Sequence, residues 1–207
     1  MAFHSGEMRL LLDAAGATVL FVALGLTFAR RPFAFVDHVG SLASGTALPL
    51  AILLTRSGYG NALAVIAVAG TALSVLMGTY VAVPVLLIAV QLLGQLCANA
   101  MKHVIARMRP EVWHFRQELG FAYPSGHSVT AVVFYLGWAA IASQWKLPPS
   151  LHDLAIAAAA IWALGIGWSR LALGAHRLTD VLGGYSLGFA WLAVFLALRA
   201  ALQAAAT

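Results

Sequence analysis

Cysteine and charge are both scarce in this chain. Cys97 is the only cysteine among 207 residues, so an intramolecular disulfide is excluded and thiol usage says nothing of the redox compartment. Within its apolar run Cys97 reads as a small buried side chain. Charged residues make up 9% of the chain and apolar ones 62%, where a soluble domain carries about 25% and about 45–50%. That balance argues against a water-soluble fold. It also argues against the nucleic-acid binder that a formal charge of +5 would otherwise suggest. No acidic cluster presents itself as a metal cage, and no internal repeat is evident. The first apolar run is followed by Arg30, Arg31 and Pro32 rather than a small-residue cleavage site, which reads as a retained anchor.

What is there is apolar sequence in lengths suited to a bilayer. The runs Leu10 to Ala29, Asn61 to Val81, Ala82 to Arg107, Ser128 to Ala142, Leu151 to Trp168 and Asp180 to Leu202 predict six transmembrane helices. The expected fold is an all-α polytopic membrane bundle, a single domain over 1–207 with no room for a soluble one. Between Phe33 and Gly60 the pattern weakens, and its apolar core, Leu48 to Leu54, suits an interfacial or re-entrant segment. Met108 to Pro124 is a polar loop, and Gln144 to Ser150 a Pro-bounded turn.

Alternation of six spans brings the ends near Arg30, Asn61, Arg107, His127, Ser169 and Asp180 to one face, where three polar clusters meet. Lys102 and Arg109 are seven residues apart, about 700° on a helix, so they share a stripe that Pro110 then terminates. Two like charges there call for an anion between them, or Lys102 snorkels to the interface. Pro124-Ser125-Gly126-His127 stands where a loop enters a helix. Free amides, a hydroxyl and a glycine can seat a phosphate there, or Ser125 is simply an N-cap. In Ser169-Arg170, His176 and Asp180, a carboxylate four residues after a histidine can fix its tautomer, and Arg170 offers a fork for phosphate oxygens. A lone pair of this kind is also common as pure structure. Ionisable groups gathered at a membrane face are functional candidates, and their shared positive sign specifies an anionic ligand.

The spacing KHVIARMRP (Lys102 to Pro110), PSGH (Pro124 to His127) and SRLALGAHRLTD (Ser169 to Asp180) resembles the type 2 phosphatidic acid phosphatase (PAP2) superfamily of integral membrane lipid phosphatases, which shares its site with vanadium haloperoxidases. The pattern of that family is matched without a departure. The resemblance implies a PAP2/haloperoxidase-like bundle that uses no cofactor and no metal. It implies that His176 takes the phosphoryl group as a phosphohistidine, that Asp180 orients His176, and that His127 is the acid for the leaving group and then the base for water. Lys102, Arg109, Ser125, Gly126 and Arg170 would hold the phosphate oxygens. The implied substrates are undecaprenyl diphosphate, phosphatidylglycerol phosphate, phosphatidate or a lipid A phosphate, with membrane lipids as the surroundings and no nucleic-acid partner.

The same resemblance implies a bacterial inner-membrane protein whose site faces the periplasm or exterior. The positive-inside rule points the other way, because most of the 12 Lys and Arg fall on the motif face and only Arg9, Lys146 and Arg199 on the opposite one. Competing functions are a phosphotransferase that passes the phosphoryl group to another lipid, and an anion or lipid transporter with a basic pocket. Flanking residues carry less. Arg107, Arg116, His114 and Trp113 suit headgroup contact or interfacial anchoring, and Asp13 is assigned no chemistry.

Overall fold

The computed structural model describes residues 5–28 and 34–205. Arg30, Arg31 and Pro32, expected to end the first span, lie outside the described residues. Eight helices follow in the described chain: α1 (Ser5–Phe28), α2 (Ala34–Ser41), α3 (Leu48–Ser57), α4 (Gly60–Leu76), α5 (Ala82–Ile105), α6 (Gly126–Ala142), α7 (Pro149–Ala172) and α8 (Leu178–Ala204).

Large apolar side chains such as Leu26, Val65, Val68 and Leu76 point outward along these helices, as lipid-facing residues must when the solvent is hydrocarbon. The centre is built around α6. One face of it meets α5, another α7, and a third the glycine-bearing start of α8. A Cβ at Gly184 would collide with the Ser125 carbonyl and the Ser128 side chain, so this close approach requires glycine. The main core joins Leu87 and Val90 of α5, Val129, Val132, Val133 and Ile141 of α6, and Leu187 and Phe195 of α8. Helix α1 lies along α8 and is tied to the loop before α6, where the Tyr123 hydroxyl donates to the Phe21 carbonyl at 2.6 Å.

By length and composition four described helices can cross a bilayer: α1 over Met8–Phe28, α5, α7 and α8. Helices α3 and α4 supply a fifth crossing if taken together, bent by 57° at Gly58-Tyr59. That makes four or five crossings by length and composition, where the sequence reading expected six. The run from Asn61 stops at Leu76 because Met77 and Gly78, the latter at φ +81°, turn the chain. Helix α6 has 17 residues, about 25 Å of rise against a hydrocarbon layer of about 30 Å. The weak stretch around Leu48 to Leu54 is helical, and it forms the first arm of the bent pair.

The two ends of the bundle differ in chemistry. At one end Trp145 Nε1 donates to Thr79 Oγ1 at 3.1 Å and Arg199 to the Ala140 carbonyl at 2.6 Å, linking the α4–α5 turn, the end of α6 and the end of α8. The C-terminal ends of α5 and α7, the start of α6, the start of α8 and the 106–125 loop meet at the other. All three sequence clusters lie there.

Candidate active site

The start of α8 is held by a cap made from its own residues. Arg177 precedes the helix in extended conformation, and Asp180 at its third position accepts the Arg177 N–H at 2.8 Å, the carboxylate half of a helix-start cap. This anchors Asp180 Oδ2 at 3.6 Å from His176 Nδ1. The pair thus meets across a helix start, not along a helical turn. On the other ring nitrogen, Arg109 Nη1 stands 3.2 Å from His176 Nε2. A guanidinium can only donate, so Nε2 is the acceptor and the ring proton of neutral His176 sits on Nδ1, facing Asp180. The imidazole is buried, 5% exposed. Burial above all, with the charges of Arg170 and Arg109, outweighs the help of Asp180 and brings its pKa down to about 4.

Arg109 is held by three groups at once: Nε to the Gly120 carbonyl at 3.1 Å, Nη1 to the Ala175 carbonyl at 2.9 Å, and His176. It does not share a helical stripe with Lys102. Helix α5 ends at Ile105, and Ala106 adopts a left-handed conformation at φ +51°, so Arg109 arrives on non-helical chain. The two cations still share one electrostatic neighbourhood with Arg170 and Glu118. Lys102, half-buried in the last turn of α5, reaches Asn99 Oδ1 at 3.5 Å.

Arg170, 1% exposed near the end of α7, donates through Nη1 to Thr55 Oγ1 and through Nη2 to Glu118 Oε1, the latter at 2.8 Å. Burial pushes the Glu118 carboxyl up, but Arg170, Arg116 and Arg109 together hold it below the usual carboxylate range. Ser125 serves as N-cap of α6, its hydroxyl accepting from the Ser128 N–H at 3.4 Å. Its own N–H donates to the Asp180 carbonyl at 2.9 Å, which fastens the PSGH segment to the start of α8. The Gly126 carbonyl accepts from Gln95 Nε2 at 3.3 Å, and a Cβ at Gly126 would press on that amide. His127 is packed edge-on against Tyr59 at 5.2 Å. Its Nε2 is buried with no hydrogen-bond partner, within electrostatic reach of Arg170, His176, Lys102 and Arg116.

Several residues of this end have partners that the sequence reading did not anticipate. Arg107 neither faces a headgroup nor anchors at the interface. It is buried, with Nη2 at 2.7 Å from Asp37 Oδ2 and Nη1 at 2.7 Å from Asp180 Oδ1, and it also donates to Thr179 Oγ1. Thr179 in turn donates to Asp37 Oδ1 at 2.9 Å. Asp37, Thr55 and Glu118 carried no sequence signal, because their partners are far along the chain. His114 is occupied structurally, 2.9 Å from Ser44 Oγ. Among the described residues no group of three His, Cys, Asp or Glu side chains is placed to hold a metal ion.

Residues 83–203 match the sequence model of the PAP2 superfamily, more than half of the chain. The chain belongs to the PAP2 superfamily. It is similar to phosphatidylglycerophosphatase B of Bacillus subtilis (strain 168), 37% identical over 95 residues that cover 45% of this chain and 47% of that protein. It is also similar to lipid A 1-phosphatase of Rhizobium johnstonii, 32% identical over 113 residues, 50% of this chain and 42% of that one. The chain thus spans less than half the length of these curated relatives. In fold it resembles the crystal structure of a transmembrane PAP2-type phosphatidylglycerolphosphate phosphatase from Bacillus subtilis, with TM-score 0.82 and 24% identity over 91% of this chain and 96% of that one.

Proposed function

We propose that this PAP2 chain is a membrane lipid phosphatase that hydrolyses a lipid phosphate or diphosphate monoester through a phosphohistidine, without a metal. The observation that carries the reading is the clamp on His176. Arg109 donates toward Nε2 at 3.2 Å while Asp180 stands 3.6 Å from Nδ1, so the unprotonated nitrogen is the one beside a phosphate-seeking guanidinium, which can turn from the ring to an arriving phosphate oxygen.

In this reading His176 Nε2 attacks phosphorus, and the P–O bond to the lipid breaks. Asp180 faces the Nδ1 proton and stabilises the positive ring that forms. His127 donates its proton to the leaving oxygen and then takes one from the water that releases phosphate. Lys102, Arg109 and Arg170, with Ser125 and the Gly126 amide, hold the three equatorial oxygens. Their fixed charge takes the part that metal ions play in other phosphoryl transfers. The substrate class covers undecaprenyl diphosphate, phosphatidylglycerol phosphate and phosphatidate.

We further propose six crossings. Helix α6 is enclosed by α5, α7 and α8 and needs no lipid-length apolar run, and the alternation that six crossings require fits the polar end, where Lys102, Gly126, Ala172 and Leu178 all lie. The site is proposed to face outward from a bacterial inner membrane. Lys102, Arg109 and Arg170 are fixed there by phosphate chemistry, which weakens the opposing charge bias.

The test is phosphate release from a panel of lipid phosphates in detergent, with and without a chelator. Release that survives chelation and needs no acceptor lipid is expected. Activity that vanishes with chelation refutes the metal-free mechanism, and phosphate appearing only on a second lipid refutes hydrolysis.

A further inference from the structure

Beside the His127 flank of the site lies an open groove of about 580 Å³ whose lining includes Arg56, Tyr59, Phe115, Arg116 and Val65. Nothing in the proposed chemistry uses its two arginines. Tyr59 forms the wall shared with the site: its ring meets His127 edge-on at 5.2 Å, and the Arg116 guanidinium lies over it at 4.7 Å. A second link runs through Thr55 and Arg56. Thr55 accepts from Arg170, and the next residue opens onto the groove.

Glu118 measures how close the two anion sites are. One of its oxygens, Oε1, is 2.8 Å from Arg170 Nη2 and 3.6 Å from Arg116 Nε. The guanidinium of the phosphate site and that of the groove therefore both approach one oxygen atom, Arg170 at hydrogen-bond distance and Arg116 more loosely. Glu118 is closer to Arg170, and among the described residues Arg56 has no ion-pair partner, so the groove keeps an excess of positive charge. Its lipid side runs onto α4, where Val65 and Val68 are about 70% and 73% exposed and offer an apolar track for a chain. The groove thus suits an anionic group that carries a hydrophobic tail and is joined to the reacting phosphate through one oxygen.

We propose that Arg116 and Arg56 bind the retained phosphate of a lipid diphosphate and make such lipids preferred over lipid monophosphates. This rests on the phosphatase reading and names the substrate class within it. In the reaction His176 Nε2 bonds to the terminal phosphorus, and the bond from that phosphorus to the bridging oxygen breaks. The bridging oxygen leaves as part of the lipid monophosphate, taking the proton of His127. Water then displaces His176 from phosphorus, giving its proton to His127 and releasing inorganic phosphate. Charge grows on the bridging oxygen and the retained phosphate as the bond breaks, and Arg116 and Arg56 are the cations on that side. A monophosphate ester leaves a neutral alcohol there and gains nothing from them.

The experiment compares farnesyl diphosphate with farnesyl monophosphate, which share one tail, using the full chain in detergent. In the double variant Arg56→Gln/Arg116→Gln, kcat/KM for the diphosphate is expected to fall by about 10–100-fold, the scale of one or two hydrogen bonds to a charged group. The monophosphate is expected to change by less than about threefold, its leaving alcohol carrying no charge for a groove cation to meet. Arg116→Lys, which keeps the charge, retains most of the preference. Equal losses on both substrates, or no loss on either, overturn the second-phosphate site while leaving the phosphatase intact. Unmodified protein that cleaves neither substrate overturns the phosphatase reading, and the groove assignment with it.

Discussion

Arg107 offers the sharpest test of how the start of α8 is held. Its side chain is 3% exposed, and its partners Asp37 and Asp180 are 8% and 0% exposed at 2.7 Å each. In Arg107→Met the volume is nearly kept, but two buried carboxylates lose their shared cation. Breaking a buried ion pair from one side costs about 3–5 kcal/mol, because the remaining charge stays uncompensated. For a chain of this size that corresponds to a fall of roughly 6–20 °C in Tm, readable by tryptophan fluorescence in detergent. Turnover should fall as well, since Asp180 would gain a proton or shift from His176. The loss should be smaller than the roughly 10⁴-fold that follows loss of the carboxylate in a His–Asp pair, because the Arg177 N–H still holds Asp180 Oδ2 at 2.8 Å. Adding Asp37→Asn removes one orphaned charge and should recover part of the stability, with a coupling of about 0.5–3 kcal/mol between the two sites. A single variant with unchanged Tm and turnover would refute the reasoning. So would a double variant whose losses simply add.

The proposed chemistry makes further expectations. His176→Ala and His127→Ala should each abolish turnover in folded protein, and hydrolysis near the unmodified rate after either change would remove that histidine from its role. His176 sits in a buried, cation-rich pocket that brings its pKa to about 4. Its ring is therefore neutral from neutral pH down through the usual histidine range, and an imidazole NMR titration assigned with His176→Ala should show a midpoint near 4 in the free protein. A midpoint at or above the ordinary value of about 6.5 would contradict that burial. A cytoplasm-dependent reporter fused after Thr207 should be active if the site faces outward, and its export in folded protein would reverse the orientation.

Short-range features of the site were legible in the sequence. Ser125 as N-cap of α6 and His176 beside Asp180 at the start of α8 depend on spacings of a few residues, which local backbone geometry fixes. The Lys102–Arg109 spacing was legible as a pair, but the helical stripe was the wrong geometry. Ala106 leaves the helix at φ +51°, and no glycine or proline stands there to announce it. Six apolar runs were read as six spans of similar kind. The described helices divide into four long ones, a bent pair and a short enclosed one, because a helix wrapped by protein needs neither full length nor an apolar outer face.

The order and spacing of its motifs, and an apolar excess that only a bilayer can accommodate, were decided by the amino-acid sequence alone. It could not decide which charges neutralise one another. Asp37 and Arg107 are 70 residues apart in sequence, Arg107 and Asp180 73, and Glu118 and Arg170 52, and no local periodicity connects them. Their pairing is settled when α2, the 106–125 loop, α7 and α8 close on one another, because a charge removed from water at that end is tolerable only beside an opposite one.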